Sequence, residues 1–252
     1  IAERSNIKGV WFEEDYRRVY PLNSTASHLV GFTYTGNSAD WGIEGYYSST
    51  LNGVNGRQFG YYNSDADVEQ NIIDPINSNS VESTIDLNIQ QVVEKYISNF
   101  MDGMANGPRG AEGAANVGVI VANPKNGEIL AMATDNPYDL NNPRDLTSYY
   151  SQDEINGMDN AAMLENLYGI WKNYCISDAF EPGSTVKPLT IGAALDADVV
   201  QPSDTFVCDG YQMFGGTRIR CSIYPGAHGT ETLSDLIKHS CNDGLMQIGA
   251  LL

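Results

Sequence analysis

Between Phe180 and Pro188 the chain reads Phe-Glu-Pro-Gly-Ser-Thr-Val-Lys-Pro, and this stretch constrains the local fold more tightly than any other. Pro182-Gly183 breaks what precedes it, and Leu189-Thr190-Ile191-Gly192-Ala193-Ala194-Leu195 is an apolar run of the kind that forms a buried helix. Pro188 has no N–H to offer the carbonyl of Ser184, and its ring crowds that carbonyl in a regular α-helix. The first turn is therefore expected to open or to wind as a 3₁₀ helix. Ser184 and Lys187 then project from one face, with β-carbons roughly 5–6 Å apart. The serine sits where unpaired backbone N–H groups favour a developing negative charge.

A serine hydroxyl becomes a nucleophile only when a base removes its proton, and a desolvated lysine can be that base. Any serine and lysine spaced by three would match, so the tetrad alone fits an ordinary helix-start serine equally well. Ser240-Cys241-Asn242 follows 240 − 184 = 56 residues later. Leu233, Leu236 and Ile237 line one helical face before it, with Thr232 and Asp235 spaced as a capping box. Asp243-Gly244-Leu245-Met246-Gln247-Ile248 continues as a second helical pattern. The triplet is thus expected at a corner between two helices, with a hydroxyl and a carboxamide facing one cleft. A polar helix–helix connection would use the same residue types.

The two motifs together match a signature of penicillin-binding proteins and serine β-lactamases, and the sequence resembles that superfamily. The resemblance extends towards the class B penicillin-binding proteins, the monofunctional peptidoglycan transpeptidases of division, elongation and sporulation. Arg18-Val19-Tyr20-Pro21, His28-Leu29-Val30-Gly31 and Gly42-Ile43-Glu44 with Tyr47, Leu51, Gly53 and Gly56 resemble landmarks of their non-catalytic module. Thr84-Ile85-Asp86 with Ile89-Gln90 is similar to the entry into the catalytic domain, and Asn123–Met132 to its first hairpin. The implied fold is α+β, a β-lactamase/transpeptidase-like catalytic domain (84–252) preceded by a β-rich non-catalytic module (1–83). The implied chemistry is attack by Ser184 on a D-Ala-D-Ala stem peptide, with Lys187 as base, Ser240 as proton relay and Asn242 binding the donor backbone. β-Lactams would trap Ser184. The resemblance also implies stem peptides and a glycosyltransferase partner, an N-terminal anchor, and a place on the extracytoplasmic face of the bacterial membrane.

One departure bears on this. The family carries a third motif, Lys-Thr-Gly or a variant, on a later strand that completes the oxyanion hole. The sequence contains no such triplet and ends ten residues after Asn242 (252 − 242 = 10), inside an apolar helical pattern. The expectation is a chain holding the first part of a catalytic domain, inactive by itself. Two other functions share these motifs: a serine β-lactamase or penicillin sensor, and a catalytically degenerate cell-wall scaffold. The first module argues against a plain β-lactamase.

A chain of 252 residues with 42% hydrophobic content can bury a core, and no apolar run reaches the length that spans a bilayer. A net charge of −18 argues against nucleic acid as a partner. The 32 acidic residues are scattered, with no pair marked out for glycoside chemistry. No cofactor is implied, and the cysteines and three histidines lack paired metal-ligand spacing. Gly215-Gly216 predicts a two-residue hairpin turn pairing Phe214 with Thr217 and Gly210 with Cys221. Cys208 then lies two residues off, a diagonal separation of roughly 7–8 Å that closes into a disulfide only with a bulge at Asp209-Gly210. An oxidising compartment favours the bond, and the spacing leaves both states open. Cys175 and Cys241 read as lone packed residues.

Elsewhere, His28–Thr33 reads as extended, 85–101 as an amphipathic helix and Ala105–Ala115 as a glycine-rich loop. Val117–Ala122 and Glu128–Thr134 read as a hairpin turning at Asn126-Gly127. Residues 135–159 read as irregular, with helices dominating beyond.

Overall fold

The computed structural model describes residues 17–34, 37–62, 68–105 and 114–252. The chain divides into two compact units, the first ending at Asp178 and the second running Ala179–Leu252.

Among the described residues of the first unit, three short helical turns come first, α1 (Ser27–Val30), α2 (Gly42–Tyr46) and α3 (Ser48–Leu51). An antiparallel hairpin follows, β1 (Arg57–Tyr62) with β2 (Val68–Ile73). Two of the landmark segments meet here: Arg18 Nε lies 2.8 Å from Glu44 Oε1, and Arg18 also donates to Oε2 at 3.1 Å. The expected extended run at His28–Thr33 is not formed, because α1 occupies its first half. Val30 N–H donates to Ala26 at 2.8 Å, and His28 is buried with Nε2 donating to the Ile170 carbonyl at 2.8 Å. Tertiary burial of the imidazole overrides the local alternation.

Helix α4 (Leu87–Ala105) starts where Asp86 Oδ1 accepts from the N–H groups of Asn88 and Ile89. It packs on an antiparallel hairpin, β3 (Gly118–Ala122) with β4 (Ile129–Thr134), whose turn at Asn126-Gly127 lies where the sequence puts it. Gln90 is fully buried between them. Its amide accepts from Met132 N at 2.9 Å and donates to Met132 O at 3.0 Å, so a helix side chain substitutes for the missing neighbour of an edge strand. The glycine-rich loop lies almost wholly outside the described residues. Beyond β4, the polar stretch carries α5 (Gln152–Gly157), opened by a Ser151/Glu154 capping box. Then come α6 (Asn160–Trp171) and α7 (Tyr174–Ser177). Tyr20, Phe32, Tyr138, Leu146, Leu167 and Trp171 form the core around them.

The second unit begins with a 3₁₀ turn (Gly183–Val186) that passes directly into α8 (Lys187–Asp196). Strand β5 (Thr205–Cys208) leads into the hairpin β6 (Tyr211–Phe214) and β7 (Thr217–Arg220), and β8 (Gly229–Thr232) returns to pair with β5. Phe214 pairs with Thr217, and Cys221 N donates to Gly210 O at 2.8 Å, which is the register read from Gly215-Gly216. Helices α9 (Leu233–Lys238) and α10 (Asn242–Gly249) complete the unit. Ile191, Ala194, Val200, Leu233, Leu236, Leu245 and Ile248 form its core, with three cysteines embedded in it.

Candidate active site

Ser184 lies in the 3₁₀ turn that the clash at Pro188 demands, and Lys187 is the first residue of α8. Gly183 starts the turn with φ +60, and nothing stands within 4 Å of where its Cβ would be. The glycine is needed for its left-handed backbone, since there is room for a side chain. Ser184 is exposed and Lys187 half-buried.

Thr232 and Asp235 form the capping box that opens α9. The helix stops at Ser240, whose φ of +53 turns the chain sharply into α10. Gly244 makes the corner tight: a Cβ there would lie 2.3 Å from Leu236 Cδ2. The Cys241 sulfur caps α10, accepting from Gly244 N at 3.4 Å. This corner faces Ser184 and Lys187.

Lys187 Nζ donates to the Ser240 carbonyl at 2.6 Å, to Ser240 Oγ at 3.0 Å and to Asn242 Oδ1 at 2.7 Å. Ser240 Oγ donates to Ser184 Oγ at 2.9 Å. The direct reach from Lys187 to Ser184 expected from their spacing is not the contact made. An ammonium has three donors, and all three point to the Ser240–Asn242 corner, so the lysine communicates with Ser184 through the Ser240 hydroxyl. Asn242 Nδ2 donates to the Arg220 carbonyl at 2.9 Å, tying the corner to the end of β7. Burial lowers the Lys187 pKa, opposed by the neighbouring thiols of Cys221 and Cys241.

Below the surface, buried Asp243 accepts from Asp209 N at 2.7 Å, Gln212 Nε2 at 2.6 Å and Gln247 Nε2 at 2.7 Å. It pins the β5–β6 connection onto α10. Burial works against ionisation of the Cys221 thiol. The N–H groups of Asn242, Ile223 and Asp243 and the Cys241 thiol outweigh it, and the pKa falls to about 6. Burial pushes the Cys241 thiol up. Asp243 and the carbonyl of Arg220 carry no marker in the sequence, because both act through contacts formed only when β5–β7 folds against α10.

A helix-borne Ser-x-x-Lys pair facing a Ser-x-Asn corner defines the β-lactamase/transpeptidase-like class of fold. Residues 117–252 match the penicillin binding protein transpeptidase domain family, and the chain belongs to that family. It is homologous to the class B members. Stage V sporulation protein D of Bacillus subtilis is 31% identical over 98% of this chain and 35% of its own length. Peptidoglycan D,D-transpeptidase FtsI of Escherichia coli is 25% identical over 98% of this chain and 37% of its own length. Among solved structures, a peptidoglycan synthetase from Bifidobacterium adolescentis superposes with a TM-score of 0.69 at 21% identity, over 93% of this chain and 38% of that one. The chain spans about a third of the length of these curated relatives.

Proposed function

We propose that the protein is a peptidoglycan D,D-transpeptidase that crosslinks stem peptides through an acyl-enzyme on Ser184 and is inhibited by β-lactams. The observation that carries this reading is the hydrogen-bonded chain Ser184–Ser240–Lys187. A neutral Lys187 draws a proton through the Ser240 hydroxyl as Ser184 Oγ attacks the carbonyl of a D-Ala-D-Ala terminus. The same route in reverse delivers that proton to the departing D-alanine amine, and an amine of a neighbouring stem peptide then takes the acyl group. Hydroxyl protons rotate freely between these partners, so the relay runs in either direction without moving a heavy atom. Asn242 holds the donor peptide backbone. The name of the Escherichia coli relative, a peptidoglycan D,D-transpeptidase, supports the same substrate class.

In this reading residues 84–252 belong to the catalytic domain and residues 1–83 to the non-catalytic module. The protein works on the extracytoplasmic face of the membrane through an anchor, beside a glycosyltransferase. Among the described residues, no helix is long and apolar enough to cross a membrane.

The test is intact-mass analysis and peptide mapping of the full-length protein after penicillin treatment. A long-lived adduct on Ser184 is expected, and Ser184→Ala abolishes it. An adduct that hydrolyses within seconds would make the protein a β-lactamase. Absence of any adduct would make it a degenerate scaffold.

A further inference from the structure

Cys208, Cys221, His228 and Cys241 come from four separate places in the second unit, and their donor atoms all lie within 4.8 Å of one another. Cys208 ends β5, Cys221 follows β7, His228 precedes β8, and Cys241 caps α10. The three cysteines are buried, and none is in a disulfide. His228 Nδ1 lies 3.6 Å from Cys208 Sγ and 3.6 Å from Cys221 Sγ, and Cys221 Sγ lies 3.8 Å from Cys241 Sγ.

These separations have a meaning. Zinc–sulfur bonds of about 2.3 Å and zinc–nitrogen bonds of about 2.05 Å at tetrahedral angles set sulfur atoms about 3.8 Å apart and sulfur about 3.6 Å from nitrogen. The three distances match three of that tetrahedron's six edges, and the other three separations are within 4.8 Å. Thiol hydrogen bonding alone would need no such convergence of four donors on one point. A Cys221–Cys241 disulfide would need the sulfurs near 2.05 Å, whereas they stand 3.8 Å apart.

A second observation lies beside the cluster. Among the described residues, one buried side-chain polar atom has no hydrogen-bond partner, Glu231 Oε2. It is 3.6 Å from His228 Nδ1, while Glu231 Oε1 is bonded to His239 Nδ1 at 2.6 Å. Glu231 is only 2% exposed, so the bare oxygen cannot be satisfied by bulk water. A cation among the four donors gives it an attractive neighbour.

We infer that Cys208, Cys221, His228 and Cys241 form a tetrahedral zinc site, with Glu231 as the carboxylate facing it. Binding releases the remaining thiol protons to solvent, and three thiolates around a divalent ion leave one net negative charge. The sequence hides the site because no two ligands have the close spacing of a zinc finger or ribbon. The pairs are assembled by the return of β8 onto β5 and by the corner before α10. The metal would lie directly behind Ser240 and Asn242, since Cys241 stands between them. It would fix the backbone whose carbonyl and side chains hold Lys187.

The inference is independent of the proposed reaction, and its test reads the metal itself. The full-length protein is purified under reducing conditions without added metal, and its zinc is counted against protein and native thiols. One zinc per chain is expected, with three thiols masked until a chelator is added. Replacement by cobalt(II) should give the ligand-field bands of a tetrahedral ion and a sulfur-to-cobalt charge-transfer band. Cys208→Ser should weaken that band by about a third and lower zinc affinity at least about 10-fold. Cys175→Ser, in the other unit, should change neither. Because the cobalt spectrum is taken on the unaltered protein, a misfolded variant does not spoil the test. Metal-free protein with all thiols reactive and no tetrahedral cobalt spectrum would overturn the inference. So would recovery of a Cys221–Cys241 disulfide from metal-free protein.

Discussion

The hydroxyls of Ser184 and Ser240 lie 2.9 Å apart, and Ser240 accepts in turn from Lys187 Nζ at 3.0 Å. In the proposed reaction the proton path has two serines in series, where the Ser-x-x-Lys spacing by itself suggests a direct contact. Ser240→Ala cuts the path while leaving both Ser184 and Lys187 in place. Acylation of the full-length protein by penicillin should slow by about 10²–10⁴-fold, the usual contribution of positioned proton transfer. Stopped-flow acylation measures this, and a rate within a few-fold of the unaltered protein would remove Ser240 from the relay.

Lys187 supplies a pH signature. Its pKa is lowered from 10.5 by burial, and only the neutral amine accepts a proton. The acylation rate should therefore rise with pH and level off above an inflection lying below 10.5. Lys187→Arg keeps the charge but cannot lose it, so the rising limb should vanish together with most of the rate.

His28 makes an opposite statement about stability in the first unit. Nε2 donates to the Ile170 carbonyl and Nδ1 lies 3.0 Å from Thr134 Oγ1, so the neutral ring carries its proton on Nε2. Burial lowers its pKa from 6.5, opposed by the Ile170 hydrogen bond and by Asp135. As pH falls below about 6.5, the unfolded chain takes up a proton that the native ring refuses. The His28 contribution is complete above that pH and is lost as pH falls towards the folded value. Each unit between the two pKa values is worth about 1.4 kcal/mol. Urea titrations from pH 7.5 to 5 should show this slope, and His28→Gln should flatten it.

Gly244 offers a packing test near the site. A methyl group there meets Leu236 Cδ2 at 2.3 Å in a core where Leu236 is fully buried. Gly244→Ala should destabilise by about 1–3 kcal/mol, the range for overpacking, despite the better helix propensity of alanine. Pairing it with Leu236→Ala should recover part of the acylation rate, because the corner carrying Ser240 and Asn242 can then close again. Additive losses in the double variant would show that the contact does not govern the corner.

What could be read from the sequence was what is encoded within a few residues. Pro188 demands the 3₁₀ turn, Gly215-Gly216 and Asn126-Gly127 set two hairpin registers, and Thr232 with Asp235 starts α9. The corner at Ser240 followed from two apolar periodicities meeting at a polar triplet. What was not readable depends on chain segments that meet only after folding. His28 turns helical because Ile170 and Thr134 receive it, and Lys187 bypasses Ser184 because the Ser240 carbonyl and Asn242 claim its donors. The three cysteines and His228 are 208, 221, 241 and 228 in a list, but neighbours in space.

Asn242 already gives one amide hydrogen to Arg220 and one lone pair to Lys187. A carboxamide has two of each. One N–H and one C=O lone pair therefore remain, which is the same complement that a single peptide unit offers along the rim of a β-sheet. Asn242 is in this sense a side-chain copy of a strand residue. An extended peptide laid beside it would meet a donor and an acceptor at the spacing of one amide, and a peptide displaced by a residue would find neither.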